Sequence, residues 1–357
     1  MRTGIATVPL DYKKSYLVFD GIKSISDEPK IPLKNYLLDL VEKSDGKKSS
    51  IYLKGVEKFI QEIWAEMVRD NWKTLRVRRF VPEQLGIHQM MLYDYKNGKK
   101  AISIQMMYKL LKLWKNYCRK NNRDIEEKWN EIYKSNFTFS VHKGLVPTKL
   151  PRYISPKLSY LMGWLCGDGH MIDYGNHYLI KVSEKSLKEL YLLKFLFTHL
   201  FGISPPIFQI YKGGYALQFG NKPIFRFLTR VLKIKVGEIP QLVYDLDEIN
   251  KKFFLMGIFD SEGNVSTSYL DSKVAITQAD YRFLKKVAYL FKNLDINCTG
   301  PYLHKTKLGT WYTIRIRKKS EILKYINKIG TCHIDKIKKL KFLEKEIYAH
   351  GHSYIAT

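Results

Sequence analysis

Cysteine, acidic side chains and long hydrophobic runs are all scarce in this chain of 357 residues. Its four cysteines are scattered without a CxxC pair or a zinc-finger spacing, which argues against a disulfide framework and for a reducing compartment. No long apolar run occurs, and the first residues lack the apolar core of a signal peptide. We therefore expect an intracellular, cytoplasmic and nucleoid-associated protein without a membrane partner.

The scarcity of acidic residues leaves a large positive charge. There are 61 Lys and Arg against 34 Asp and Glu, so the formal net charge is +27. Such an excess favours a polyanion as partner, and nucleic acid is the commonest one. A basic surface without a dedicated partner is the alternative, and composition alone does not distinguish the two.

The length of the chain predicts more than one domain. Residues 1–52 show few periodic apolar positions and are interpreted as an N-terminal arm or small subdomain without an assigned function. Residues 53–118 are predicted to form a helical DNA-binding domain. Residues 119–152 are polar and lysine-rich and then rich in proline, which indicates a linker. Residues 153–350 form the remaining domain.

Residues 53–118 carry the pattern of several short helices. Apolar residues from Val56 to Met67 recur at three- and four-residue spacing, which predicts an amphipathic helix. A short helix, a tight turn at Gly86, a second short helix and a glycine stop follow, and a longer helix ends near Tyr117. Short helices joined by a glycine-containing turn are typical of a helix-turn-helix.

The segment from Leu85 to Lys99 reads Leu-Gly-Ile-x-Gln…Tyr-x-x-Gly-Lys and resembles a repressor-type helix-turn-helix. It departs from that family in having His88 at the N-cap of the second helix and the negative charge of Asp94 on it. A bundle used only for packing is the alternative. The resemblance implies that three side chains face the major groove, namely Gln89, Met90 and Tyr93.

A nine-residue segment occurs twice in the chain. Residues 161–169 read Leu-Met-Gly-Trp-Leu-Cys-Gly-Asp-Gly, and residues 255–263 read Leu-Met-Gly-Ile-Phe-Asp-Ser-Glu-Gly. Asp168 and Glu262 hold the same place in the two copies, 94 positions apart (262 − 168). Because neighbouring segments match at the same offset without a gap, the sequence contains an internal duplication.

Each repeat, 153–244 and 245–345, is predicted to run helix, two strands, helix, two strands, helix. The fold class is therefore α+β, with two pseudo-symmetric αββαββα repeats beside an N-terminal all-α helix-turn-helix domain. Alternation along the strands gives each sheet an apolar face and a partly cationic face. The cationic face is expected to contact DNA through Lys181, Ser183, Thr313, Arg315 and Arg317.

Small residues in the two motif segments allow their helices to pack closely. Gly163 and Gly167 form a stripe on one helix, and Gly257 and Ser261 form the same stripe on the other. Packing around a pseudo-twofold axis would bring the two motif acids together at the helix C-termini. Two carboxylates repel each other there unless divalent cations lie between them. Oxygen ligands in a basic protein favour Mg²⁺, or Mn²⁺, positioned on phosphate.

The paired motifs resemble the LAGLIDADG motif, and residues 153–345 resemble a single-chain, two-repeat homing endonuclease of this dodecapeptide (DOD) type. The resemblance implies two saddle-shaped antiparallel sheets in the major groove and cleavage of both strands of double-stranded DNA. It implies that Asp168 and Glu262 are catalytic metal ligands and that Gly167 and Ser261 lend backbone carbonyls to the metals. A monomer is expected, because both repeats lie in one chain.

The same resemblance implies a catalytic lysine near the end of the last strand of each repeat and a polar residue that organises water. Lys222 matches the lysine of repeat one. In repeat two, Lys318 and Lys319 both fit, and we take Lys319 as the candidate. Gln278 matches the water-organising position. Its partner in repeat one is Glu184, where the family commonly has a neutral residue.

The leading hypothesis is thus a magnesium-dependent, site-specific double-strand DNA endonuclease. The alternative is a non-cleaving DNA-binding regulator, or an RNA-splicing maturase with intron RNA as partner, built on the same fold. Such relatives typically lose one or both motif acids, and both are present here. Retained acids do not exclude maturase activity.

Overall fold

The fold is taken from a computed structural model, which describes residues 31, 39–40, 50–70, 74–117, 124–135, 137–141, 147–175, 177–210, 213–268, 271–306 and 309–351. Most of the arm expected over residues 1–52 lies outside the described residues. Within them, no helix combines the length and the apolar character needed to cross a membrane.

The N-terminal region combines helices with a small sheet. Its helices are α1 (Glu57–Arg69), α2 (Thr74–Leu85), α3 (Gln89–Lys96), α4 (Ile104–Tyr117) and α5 (Ile125–Lys134). Its strands are β1 (Ile51–Lys54), β2 (Ile102–Ser103) and β3 (Thr138–Val141), in the antiparallel order β2-β1-β3. The prediction of an all-α region is wrong, because β1 joins two short partners that are distant in sequence.

The helices of this region follow the sequence pattern. Ile60, Ile63 and Met67 are buried on one face of α1, as their spacing predicted. Gly86 makes the turn between α2 and α3 with a φ of +67°, a conformation that favours glycine. His88 caps α3, since its Nδ1 accepts a hydrogen bond from the backbone N–H of Met90 at 3.2 Å. The order helix, turn, helix is present, and its use in DNA binding stays a prediction.

Residues 119–152 are not a simple linker, because they contain α5 and β3. Trp129 is fully buried on α5. Phe139 of β3 exchanges two backbone hydrogen bonds of 2.8 Å with Thr148, and the N–H of Lys149 donates to the carbonyl of Phe201 at 2.9 Å. The segment therefore packs the N-terminal region against repeat one. The linker prediction is wrong because the residues that become buried are scattered among many polar residues in the sequence.

Both repeats follow the predicted order. Repeat one consists of α6 (Pro156–Asp168), β4 (His170–Asp173), β5 (Tyr178–Glu184), α7 (Leu187–Phe201), β6 (Ile207–Ile210), β7 (Gly214–Gly220) and α8 (Lys222–Arg226). Repeat two consists of α9 (Glu248–Glu262), β8 (Gly263–Ser266), β9 (Lys273–Gln278), α10 (Tyr281–Asn293), β10 (Thr299–Thr306), β11 (Gly309–Ile316) and α11 (Lys319–Lys328). A further helix, α12 (Ile334–Gly351), follows and was not predicted.

The two four-stranded sheets have the same antiparallel topology. Their strand orders are β4-β5-β7-β6 and β8-β9-β11-β10. Ile180 and Val182 of β5 are buried, as are Ile314 and Ile316 of β11. The residues that alternate with them lie on the opposite face of each sheet. The prediction of one core face and one partly cationic face is confirmed.

The motif helices α6 and α9 pack against each other at their glycines. A Cβ atom on Gly163 would lie 2.0 Å from the carbonyl oxygen of Phe254, and one on Gly257 would lie 2.1 Å from the carbonyl oxygen of Tyr160. These reciprocal contacts relate the helices by a pseudo-twofold axis. Only glycine allows this approach, because any side chain would push the two backbones apart.

Candidate active site at the paired helix ends

The C-terminal ends of α6 and α9 meet and place the two motif acids in one site. A Cβ on Gly167 would lie 2.1 Å from Oγ of Ser261 and 2.9 Å from Cγ of Glu262. Asp168 is the next residue on α6, and its charge raises the pKa of Glu262. The expectation that duplication and small residues bring Asp168 and Glu262 together therefore agrees with the geometry.

Electrostatics at these helix ends are unfavourable for negative charge. Burial and then the charge of Asp168 raise the pKa of Glu262 to about 7, from 4.5. Asp168 keeps an exposed edge, yet the surrounding protein removes enough water to raise its pKa as well. Carboxylates without sufficient solvation or cationic partners are destabilised in their charged form. A divalent cation would relieve that cost.

Gln278 contacts one of these acids directly. Its Nε2 donates a hydrogen bond of 2.9 Å to Oε1 of Glu262, and its Oε1 accepts one of 2.6 Å from the N–H of Ala279. These two bonds fix the orientation of the amide. The side chain therefore lies where the water-organising role was predicted.

Glu184 holds the position equivalent to Gln278 in repeat one. Gln278 is opposite Tyr312 in β11, and Glu184 is opposite Tyr215 in β7. Burial and then the charge of Asp168 raise the pKa of Glu184 to about 7. The site therefore gathers three carboxyl groups instead of two.

Lys336 brings a positive charge to this site, and sequence reasoning missed it. It lies in the first turn of α12, and its Nζ donates hydrogen bonds of 2.8 Å to the carbonyl oxygens of Phe259 and Asp260. Burial lowers its pKa, and the charges of Asp260, Glu184, Glu189 and Glu262 oppose that decrease. No local motif marks this lysine among the many others, because its burial depends on where α12 packs.

The two lysines predicted from strand ends are elsewhere. Nζ of Lys222 lies 5.1 Å from the ring centroid of Tyr178, six residues along β5 from Glu184. At about 3.3 Å per residue this is about 20 Å from the acids. Lys319 is exposed and follows Ile316, the last residue of β11. Ile316 pairs with Val274, which is four residues along β9 from Gln278, so Lys319 lies away from the acids as well. Both predictions are wrong, because β7 and β11 run away from the acids.

A metal ion fits this site only together with other ligands. In the described ranges, no group of three or more His, Cys, Asp or Glu side chains is arranged to hold a metal. Mg²⁺ usually keeps several waters and binds through one or two carboxylates and substrate phosphates. The acid pair of Asp168 and Glu262 suits that pattern. The carbonyls predicted as ligands, those of Gly167 and Ser261, lie at the same helix ends.

Some of the side chains predicted to contact DNA from the sheets are accessible, and others already contact protein groups. Lys181 and Ser183 are half-buried on the cationic face of β5. Thr313 is buried, with its Oγ1 3.0 Å from that of Thr277. Arg315 contacts His304 at 2.9 Å, and Arg317 contacts Asp271 at 2.9 Å. DNA contact by Arg317 requires exchange of this partner.

The predicted contacts of α3 are exposed. Met90 and Tyr93 are 58% and 51% exposed, respectively, although both are large and apolar in part, and Gln89 is also exposed. The charge of Asp94, an expected obstacle to phosphate binding, is paired with Lys100 at 2.7 Å. This face of α3 is therefore available to a partner.

A family model described as a LAGLIDADG-like domain matches residues 250–330, from α9 into the end of α11. Repeat two is therefore similar to a LAGLIDADG-like domain. The chain is 26% identical over 197 residues to the homing endonuclease I-ApeI of Aeropyrum pernix, across 52% of this chain and 86% of that protein.

Two other similarities of this chain have lower sequence identity. It is 22% identical over 305 residues to the glutamine–fructose-6-phosphate aminotransferase of Methanocaldococcus jannaschii, across 82% of this chain. The chain spans only 26% of that relative's length. A crystal structure of I-DmoI in complex with DNA and Mn aligns with a TM-score of 0.38 and 19% identity, over 50% of this chain and 97% of that one.

Proposed function

We propose that this protein is a site-specific double-strand DNA endonuclease of the homing type that requires Mg²⁺ or Mn²⁺. The observation that carries the proposal is the meeting of Asp168 and Glu262 at the ends of α6 and α9, between two similar antiparallel sheets. The net charge of +27 suits a nucleic-acid partner. The similarity to a protein named as a homing endonuclease supports the same activity.

A divalent ion held at this site would supply Lewis-acid chemistry for hydrolysis of the scissile phosphate. Asp168 and Glu262 would hold the ion, together with the backbone carbonyls of Gly167 and Ser261. Gln278 orients Glu262 through its amide and has a second N–H to direct at water. Lys336 replaces the predicted lysines as the cation that offsets negative charge in the site.

The two sheets bind the DNA on either side of these acids. Their cationic faces carry Lys181, Arg315 and Arg317, which suit phosphates and the acceptor edge of guanine. One chain contains both repeats, so a monomer suffices to reach both strands. The exposed face of α3, with Gln89, Met90 and Tyr93, extends the contact to a neighbouring major groove.

Cleavage of a plasmid library in Mg²⁺ tests the proposal. Discrete cuts by the native protein, absent with the Asp168→Asn/Glu262→Gln double variant, would establish the endonuclease and yield its site. Tight, salt-sensitive DNA binding without cuts would favour the non-cleaving regulator. Preferential binding of structured intron RNA, again without cuts, would favour the maturase.

A further inference from the structure

We propose that helix α10 carries a second DNA-binding surface, on the side of repeat two that faces away from its cationic sheet face. This surface, which we name the α10 stripe, consists of Arg282, Lys285, Lys286 and Lys292. It rests on the proposed function, in which the two sheets bind the target DNA. The stripe would hold a second double-stranded segment, so that the protein can pass directly from one DNA segment to another.

The stripe follows from the helical period of α10. Its four cations stand at positions i, i+3, i+4 and i+10, so they share one face of the helix, and all four are exposed. No Asp or Glu occurs from Tyr281 to Asn293. The face of α10 that meets solvent therefore carries positive charge alone. Its opposite face is buried through Phe283, Leu284, Val287, Leu290 and Phe291.

The acids at the two ends of α10 do not neutralise this charge. Asp280 caps the helix, and its Oδ1 accepts a hydrogen bond of 2.6 Å from the backbone N–H of Arg282. Asp295, beyond the other end, pairs with Lys324 and Lys328 of α11 at 3.1 and 3.7 Å. Among the residues that the structure describes, no carboxylate forms an ion pair with a cation of the stripe. These charges are therefore accessible to an anionic partner.

The stripe and the cationic sheet face lie on opposite sides of repeat two. The ring of Tyr281, at the start of α10, packs against that of Tyr312 in β11, with 5.2 Å between the centroids. Tyr312 shares the buried face of the sheet with Ile314, whereas Arg315 lies on the other face. Because α10 covers the buried face, the sheet and the helix, which is about 10 Å thick, separate the stripe from the proposed DNA surface.

One duplex does not suit both surfaces. The persistence length of DNA is about 150 base pairs, so a duplex that turned back through about 180° within one binding site would be strongly disfavoured. A nucleic acid on the stripe is therefore a second segment, separate from the one that lies on the sheets.

The duplication shows that the fold does not require these cations. Helix α7 is the equivalent of α10 in repeat one, and the five buried positions of α10 are buried in α7 as well. Tyr191 and Leu192 stand where α10 has Lys285 and Lys286, since 285 − 191 and 286 − 192 are both 94. The two helices thus keep the same buried positions and differ on the outer face. The cations belong to the surface of repeat two and not to its packing.

The tyrosines beside the stripe favour double-stranded DNA over RNA as its occupant. Nζ of Lys285 lies 4.9 Å from the ring centroid of Tyr281, and the ring of Tyr289 contacts that of Tyr244 at 6.0 Å. Unpaired RNA bases are bound largely by stacking on aromatic rings. Because both rings already contact protein groups, the stripe offers mainly its cations. Cations alone suit the phosphates of a duplex, bound without regard to sequence.

Capture of a second duplex by a preformed complex tests this surface. Full-length protein in EDTA first binds one equivalent of a fluorescein-labelled duplex, whose sequence is selected by binding alone. A rhodamine-labelled duplex of unrelated sequence is then added. Energy transfer between the labels, together with a mass of one protein and two duplexes, reports the ternary complex. The release rate of the first duplex is followed as the concentration of an unlabelled competitor duplex rises.

Two triple variants with the same loss of charge are compared with the wild type. Lys285→Gln/Lys286→Gln/Lys292→Gln changes the stripe, and Lys338→Gln/Lys341→Gln/Lys345→Gln changes exposed positions of α12. All three proteins should bind the first duplex with similar affinity. The stripe variant should capture the second duplex at least about tenfold more weakly, with a salt slope shallower by about 2.7, or about 0.9 for each lysine. Competitor duplex should speed release from the wild type and the α12 variant only.

The outcomes separate this surface from the DNA binding of the sheets. Equal capture by the stripe variant and the wild type, or no capture by the wild type, would overturn the second site while the sheets stand. Equal losses in both triple variants would assign the capture to net charge and overturn it too. Tighter capture of a hairpin RNA than of the duplex would contradict the occupant proposed. If none of the three proteins bound the first duplex, the DNA binding of the sheets would be wrong, and the second site with it.

Discussion

At the scale of single residues, Lys336 differs from the exposed Lys338 of α12 in its burial and in its hydrogen bonds to the carbonyls of Phe259 and Asp260. Lys336→Met should lower cleavage about tenfold or more, because a fixed cation close to the developing phosphoryl charge is lost. Lys338→Met, an exposed position on the same helix that is paired with Asp335, is the matched control. The cleavage rate is the measurement. Lys336→Arg should restore part of it, and equal rates for the Met variants at 336 and 338 would contradict the role.

The raised pKa values of Glu184 and Glu262 predict a pH-dependent stability in the absence of metal. Both are about 7 in the folded protein, against 4.5 for an ordinary glutamate. Between these values the folded protein holds protons that the unfolded chain has released. Their contribution to stability is therefore full below about pH 4.5 and is lost as pH rises through 7.

Thermal unfolding in EDTA measures this effect. The Tm should fall between about pH 5 and pH 8, and the fall should be smaller in the Glu184→Gln/Glu262→Gln double variant. Because the double variant keeps the shape of both side chains, it isolates their charge. A wild-type and a double variant with the same pH profile would show that other groups govern the stability.

At the scale of elements, the close packing of α6 and α9 predicts a severe effect of a single methyl group. Gly163→Ala would place its Cβ 2.0 Å from the carbonyl oxygen of Phe254. We expect a loss of about 3 kcal/mol in the free energy of unfolding, as for overpacking of a core. Gly220→Ala is the control, because its Cβ would meet its nearest atom, the carbonyl oxygen of Tyr178, at an ordinary 3.7 Å. Chemical denaturation of both variants measures the difference, and equal losses would contradict this packing.

Elements with local signals could be predicted from the sequence. The helix α7 has such signals at both ends, because Ser186 accepts a hydrogen bond from the N–H of Lys188 at its start and Gly202 ends it with a φ of +70°. The proximity of the two motif acids could also be predicted from the sequence. Two copies of one motif are expected to pack around a pseudo-twofold axis, which brings equivalent residues together.

Features that depend on distant contacts could not be predicted in this way. The two-residue strand β2 has too few positions to show alternation, and its partner β1 is about fifty residues away in sequence. The lysines predicted to be catalytic, Lys222 and Lys319, were misplaced because adjacency to a strand end does not reveal at which edge of the sheet that strand ends. Lys336 was missed because the sequence predicted neither the helix that carries it, α12, nor the packing of that helix against α9.

At the scale of the whole molecule, the net charge of +27 predicts DNA affinity that depends steeply on salt. If about five or more phosphates are contacted, a plot of the logarithm of the binding constant against the logarithm of the salt concentration should have a slope of about −4.5 or steeper. Anisotropy titrations between about 50 and 200 mM salt measure this slope. A flat dependence would exclude the cationic sheet faces as the DNA surface.

Cleavage and DNA binding by the single variants Asp168→Asn and Glu262→Gln test the proposed active site. Each substitution removes a carboxylate proposed to hold the metal and lies outside the sheets. We expect cleavage of the selected site in Mg²⁺ to fall about a thousandfold, or about 4 kcal/mol of transition-state stabilisation, while the affinity for DNA stays nearly the same. Cleavage at the wild-type rate by either variant would show that these two acids do not form the active site.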